Sequence, residues 1–229
     1  MLLCTRQKRM NLPCDTLDIV FNNESIPQVS SQKLLGVIVD QNLTWGDHID
    51  MIFNRISSKI YQLNCMKNFI DLDTRKIFYF AYIQPYFDYC SSVWGHTYSS
   101  HTKRLSSIQR RALKGINNNL VNNKNDLFVS FNILPVFTKI QFRDCILIHR
   151  IIHGDAPVYL SSVVNINTSQ YFCNEPRLVI PFPNMDIFKM SFSYKGTCFW
   201  NQLPHSLRKE SNFRSFKGYL LNYLLKKTN

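Results

Sequence analysis

Ile49, Ile52, Phe53, Ile56, Ile60 and Leu63 recur three and four residues apart. That spacing lines one face of an α-helix and predicts an amphipathic helix beginning near Thr44. Thr44 with Asp47 three residues on approximates a capping box, with Asp for the usual Glu. A second helix is predicted to start near Asp71 or Asp73. It carries Ile77, Phe78, Tyr79, Phe80, Tyr82 and Ile83, apolar all round, so a central position is expected. Pro85 should kink it, because proline lacks the backbone donor and crowds the carbonyl of Ala81. A third helix is predicted from about Ser100 to Ile116, a fourth from Val136 to Ile152 stopping at Gly154, and a last one through Phe213, Phe216, Leu220 and Leu224.

Upstream of the first helix the pattern reads as strand. Leu17-Asp18-Ile19-Val20-Phe21 is β-rich and is followed by the turn signal Asn22-Asn23. Lys33 to Asp40 is a second β-rich run with Gly36 inside it, which reads as a bulge or a close backbone approach. Two or three strands without a partner sheet are marginal in water, so the segment needs a cover. Asn117-Asn118-Asn119 and Asn122-Asn123-Lys124-Asn125 form a polar linker. Pro176, Pro181 and Pro183 predict loops and one short strand across residues 165–190. The predicted class is α+β, mainly α. It divides into a short β-hairpin region at 1–45, a helical bundle with the Asn-rich linker at 46–124, and a mostly helical region at 125–229.

Composition narrows the function. Hydrophobic residues are 45% and charged residues 18% of 229, which excludes disorder and a coiled coil. Only 7 glycines argue against a glycine-rich phosphate-binding fold. Lys plus Arg number 27 against 15 for Asp plus Glu, a net charge of +12, with a pI near 9.5. Such a balance is the footprint of a polyanionic partner; a merely soluble basic protein gives the same count. Seven scattered cysteines without a C-x-x-C, behind an N-terminus of MLLCTRQKRM, read as a reduced intracellular chain of nucleus or cytoplasm, not a secreted one. The longest apolar run, Ile77 to Ile83, is far short of the roughly 20 residues that span a bilayer, so no membrane role is expected.

The third helix carries the clearest chemistry. At about 100° per residue, Lys103, Arg110 and Lys114 fall on one line with Arg104 and Arg111 beside it, while Leu105, Ile108, Ala112 and Ile116 fall opposite. No carboxylate lies between Lys103 and Lys124. Like charges one turn apart repel, and phosphate would compensate them; a solvated face is the alternative. A two-metal nucleotidyl-transfer site needs clustered carboxylates. Asp47 and Asp50 in one first turn, and Asp71 and Asp73 at another helix start, are better explained by capping and the helix dipole, so no catalytic residue is assigned. Cys145, His149 and His153 share one side of a helix, but i to i+8 spans about 12 Å, too far for one ion. Cys90, His96 and His101 are weaker still. No metal and no cofactor are expected, and no Ser/His/Asp or Cys/His triad can be argued.

Lys33-x-Leu35-Gly36-Val37-x-x-Asp40, followed by Asn42-Leu43-Thr44-Trp45-x-x-His48-Ile49, resembles reverse transcriptases of LINE-type (non-LTR) retrotransposons, the jockey-like group in particular. Tyr82-Ile83-x-Pro85-Tyr86-x-x-Tyr89-Cys90, Val93-Trp94-Gly95 and Leu105-x-x-Ile108-Gln109-x-x-Ala112 follow in the same order. Phe192-Ser193-Tyr194-Lys195-Gly196, Trp200-Asn201-x-Leu203-Pro204 and Ser215-Phe216-Lys217 look like the tail of the same polyproteins. The resemblance implies the C-terminal part of such an enzyme, beginning just after the paired catalytic carboxylates of the palm, with Met1 to Arg6 as the strand that follows them. Leu35 and Gly36 would take the place of the primer-grip turn, and residues 46–116 that of the thumb helices against the template–primer duplex. On this reading the family's RNA-directed DNA polymerase activity is not expected of this chain alone. Its expected partners are RNA or an RNA–DNA duplex, and the palm and fingers of a reverse transcriptase. The alternative is a helical protein-interaction module without a nucleic-acid role.

Overall fold

Two asparagines, Asn22 at φ 51° and Asn23 at φ 62°, turn the chain between β1 (Ile19–Phe21) and β2 (Glu24–Ile26). Asparagine tolerates the left-handed region, and two such residues in sequence make the tight turn that matches strand twist. The strands pair antiparallel with Ile19 opposite Ile26 and Phe21 opposite Glu24, and every residue of both is exposed. A separate ribbon follows, β3 (Ser31–Leu34) against β4 (Val37–Asp40), with Ser31 opposite Asp40 and Leu34 opposite Val37. The run Lys33–Asp40 is therefore not one strand with a bulge at Gly36. Leu35 at φ 45° and Gly36 at φ 88° reverse it within two residues. Gly36 adopts that conformation freely, whereas Leu35 is strained into it, and a leucine gives no turn signal in the sequence.

The computed structural model describes residues 1, 3, 19–117, 126–166 and 177–228. Most of the strand assigned to Met1 to Arg6, Leu17 and Asp18, most of the Asn-rich linker, and Pro176 lie outside the described residues. The described chain is mainly helical with two small antiparallel sheets near the N-terminus, the expected α+β class. It forms two compact units, residues 1–54 and 55–229, whose boundary falls inside α1 (Gly46–Met66).

In the first unit, Asp40 organises the entry to α1. Its Oδ1 accepts from the amides of Asn42 and Thr44, and its Oδ2 from the Thr44 hydroxyl and the Trp45 amide at 2.7 Å. These bonds hold Leu43 (φ 53°) and Trp45 (φ 66°) in left-handed conformations. Burial raises the Asp40 pKa, but the three amides and the hydroxyl outweigh it and hold the carboxyl below its usual range. His48, one turn into α1 and 2% exposed, accepts through Nδ1 from the Ile38 amide of β4 at 3.3 Å. Burial lowers its pKa from 6.5 to about 4.

The His48 shift sets a pH expectation. A histidine whose folded pKa is depressed supports the fold fully above 6.5, and that support is lost as pH falls to about 4. The first unit should thus lose stability across this window, read by Trp45 fluorescence during urea melts. His48→Gln keeps an acceptor and does not titrate, so its stability should stay flat there. Equal slopes in both proteins would remove His48 as the cause.

In the second unit, Ile56, Ile60 and Leu63 of α1 are buried. α2 (Leu72–Phe78) starts at Asp71, whose side chain accepts from the Thr74 amide at 3.1 Å. It runs through a π-helical turn, Tyr79–Ile83, into α3 (Gln84–Asp88). The π turn is the form that the Pro85 kink takes. Pro85 cannot donate to Ala81, and the Gln84 amide reaches back five residues to the Tyr79 carbonyl, widening the turn. The expected central position is corrected: α2 has no buried residue, and beyond it Tyr79, Ile83 and Phe87 are enclosed together with Gln84. Ile77, Phe80 and Tyr82 are exposed, because neighbours cover one side of this helix and not the other.

α4 (Ser91–Trp94) follows Cys90, which sits at φ 50°. α5 (Ser99–Ile116), α6 (Asp126–Ser130) and α7 (Val136–Ile152) come next. α7 ends as expected, with Gly154 at φ 77° and the Asp155 amide bonded back to the Arg150 carbonyl at 2.8 Å. After a 3₁₀ turn (Val158–Val163) and a bridge between Ile166 and Leu178 come α8 (Asp186–Lys189), α9 (Phe192–Asn201), α10 (His205–Arg208) and α11 (Phe213–Thr228). α7 is the hub, packed by α3, α4 and α5 as well as by α9 and α11. Around Trp200 and Phe216 the core gathers Phe142, Cys145, Ile148, Leu203, Leu220 and Leu224. Asn201 ties the preceding loop to it by bonding both the amide and the carbonyl of Leu178, at 3.0 and 2.8 Å.

Candidate nucleic-acid interface

α5 has no acid in its first turn and carries Lys114 in its last, where the helix dipole favours a cation. Leu105, Ile108, Ala112, Leu113 and Ile116 are buried along one side. Lys103, Arg104, Arg110, Arg111 and Lys114 are all exposed along the other. Eleven steps of about 1.5 Å from Lys103 to Lys114 make this cationic stripe roughly 16 Å long. Among the described residues, Lys103, Arg110, Arg111 and Lys114 enter no ion pair. The face is thus positive, solvent-facing and held on a rigid helix, an arrangement suited to successive phosphates.

Buried Gln109 fixes the orientation of that face. Its Nε2 donates to the Leu134 carbonyl at 3.0 Å and to the Tyr79 hydroxyl at 3.2 Å, while its Oε1 accepts from the Val136 amide at 2.9 Å. One side chain of α5 therefore caps α7 and grips the π turn. A polar residue among Leu105, Ile108 and Ala112 was its signal in the sequence, and periodicity alone gave it no role. In the first unit, Leu35 and Gly36 form the tip of the β3–β4 ribbon, where Leu35 is 84% exposed.

The candidate acids are engaged locally. Asp71 caps α2, Asp73 pairs with Lys76 at 3.1 Å, and Asp47 lies in the first turn of α1. Cys145 is buried in the core, where burial drives its thiol pKa up. His149 donates from Nε2 to the Glu210 carbonyl at 2.8 Å, and its ring stacks between His153 (4.1 Å) and Phe216 (4.3 Å). Burial lowers its pKa. His153 donates from Nδ1 to the His149 carbonyl. Cys90 is exposed, His101 packs on Tyr98, and His96 is buried with Nε2 2.8 Å from Asp144 Oδ2, out of line for a hydrogen bond. Among the described residues, no three His, Cys, Asp or Glu side chains gather as a metal site, and no helix is long and apolar enough to cross a membrane.

The chain is 27% identical over 115 residues, 49% of its length, to a probable RNA-directed DNA polymerase from transposon X-element of Drosophila melanogaster. It is 28% identical over 121 residues to a probable RNA-directed DNA polymerase from transposon BS of the same species, and 24% over 116 residues to the RNA-directed DNA polymerase from mobile element jockey of Drosophila funebris. About half of the chain is similar to LINE-type retrotransposon reverse transcriptases. The matched stretch is 12–13% of the length of these relatives. No family model matches the chain. No solved structure matches it either.

Proposed function

We propose that this chain is a reverse-transcriptase-related, thumb-like module that binds nucleic acid, with the basic face of α5 against the phosphates of a template–primer duplex and no polymerase activity of its own. The observation that carries this reading is the exposed stripe of five cations on one rigid helix, in a chain similar over half its length to RNA-directed DNA polymerases. The Leu35–Gly36 tip is the primer-grip-like contact in this reading, and a reverse-transcriptase palm and fingers are its protein partner. A second reading, a protein-interaction module, is favoured by the exposed apolar side chains Ile77, Phe80 and Tyr82 on α2 and the π turn.

Salt-dependent binding to an RNA–DNA duplex separates the two. Phosphate contacts release counterions, so each one lost flattens the log–log salt slope by about 0.9. Arg110→Glu with Lys114→Glu should flatten it by about two units and weaken binding at every sequence tested, with the fold intact because both side chains face solvent. Lys226→Glu with Lys227→Glu makes the same charge change on exposed residues of α11. Equal losses in the two double variants would reduce the effect to net charge and favour the interaction module.

A further inference from the structure

A second group of cations lies where α3, α7 and α11 meet. Asp88, the last residue of α3, is 18% exposed. Its Oδ2 accepts from Arg143 Nη2 at 2.8 Å. Its Oδ1 accepts from Gln84 Nε2 at 3.2 Å, which leaves the Lys139 ammonium 3.8 Å away, beyond hydrogen-bond range. Lys217, exposed on α11, which packs against α7, is near enough for its charge to act on Lys139. Two cations thus face one carboxylate, and a third stands on the neighbouring helix.

Several features show that this charge is unbalanced. Burial lowers the Lys139 pKa, Arg143 and Lys217 lower it further, and Asp88 only partly offsets them. Lys139 also stands in the first turn of α7, a turn with no acid, where the helix dipole disfavours a cation. Arg143 keeps a buried Nε with no hydrogen-bond partner, although 40% of its side chain is exposed. A ligand that resolved all of this would be an anion with several acceptor oxygens, reachable from solvent.

We propose that Lys139, Arg143 and Lys217 form a phosphate-binding site beside Asp88, separate from the cationic face of α5. Arg143 supplies a planar donor fork, Lys139 a half-buried point charge, and Lys217 an exposed arm that closes over the group. The phosphate belongs either to a nucleic-acid strand that runs on from the duplex or to a small phosphorylated molecule.

Two titrations followed by the Arg143 Nε–Hε resonance test the site, one with inorganic phosphate against chloride at matched ionic strength, the other with RNA–DNA duplex. Phosphate should move the resonance in the native protein and in Lys226→Glu, but not in Lys217→Glu. Lys217→Glu should also flatten the duplex salt slope by about one unit if the phosphate is that of a strand. A phosphate shift with an unchanged duplex slope supports the site and assigns it to a small phosphorylated ligand. Chloride moving the resonance as far as phosphate does, or no movement with either ligand, overturns it. The native-protein titration decides the matter even if a variant fails to fold, and it does not depend on duplex binding by α5.

Discussion

Gln109→Ala is expected to destabilise the protein by about 3 kcal/mol or more, roughly 6–12 °C in Tm for a chain of this size. The side chain is 1% exposed, and its truncation strands three partners at once. The Val136 amide loses its acceptor, and the Leu134 carbonyl and Tyr79 hydroxyl lose their donor. Each buried polar group left unpaired costs about 1–3 kcal/mol, before any cavity is counted. Val136 belongs to the first turn of α7, where no intrahelical carbonyl is available to it. Gln109→Leu restores volume without polarity and separates the two contributions. A leucine variant as stable as the native protein in urea melts would show that the network contributes nothing net. The same loss should loosen the seating of α5 on α7, and with it the aim of the cationic stripe.

That coupling shows which parts of the molecule could be read from sequence. The limits of α7 and the start of α11 follow from a 3.6-residue period closed by a glycine or by aromatic spacing, signals contained within one segment. The cationic face of α5 is legible for the same reason, since helical geometry alone decides that Lys103, Arg110 and Lys114 oppose Leu105 and Ile108. What failed to show depends on partners elsewhere. Ile77, Phe80 and Tyr82 look central because apolar residues run all round, but burial there is decided by which neighbours arrive, and the Tyr79–Ile83–Phe87 line receives them. The ribbon of β3 and β4 hid as a single strand because its turn uses a leucine at φ 45°. Asp40 reads as an ordinary strand end until its four bonds to residues 42–45 are seen. The cations at Asp88 come from residues 139 and 143, with Lys217 of another helix acting on Lys139, a grouping that no local pattern announces.

Gly95→Ala should be as damaging as the loss of Gln109, although it adds a single methyl group. Gly95 has φ −71° and ψ −21°, an ordinary right-handed conformation, so backbone preference is not the reason for glycine here. The reason is space. A Cβ at this position would lie 2.3 Å from the Ser91 carbonyl oxygen and 2.8 Å from Ile140 Cδ1. The Ser91 oxygen is main chain, and it already accepts the Gly95 amide at 2.8 Å. Moving it disturbs the single turn that holds Trp94, which is fully buried and donates from Nε1 to the Tyr89 carbonyl. Overpacking costs about 1–3 kcal/mol where side chains can yield, and a backbone clash belongs at or beyond about 3. The double variant with Ile140→Ala isolates the cause. Removing the isoleucine relieves the side-chain contact and opens a cavity of its own, while the Ser91 clash stays. Urea melts followed by tryptophan fluorescence should therefore find Gly95→Ala still destabilising on the Ile140→Ala background. If alanine became neutral there, the turn between Ser91 and Gly95 would be free to yield, and the close packing of α4 on α7 would be the whole reason for the glycine.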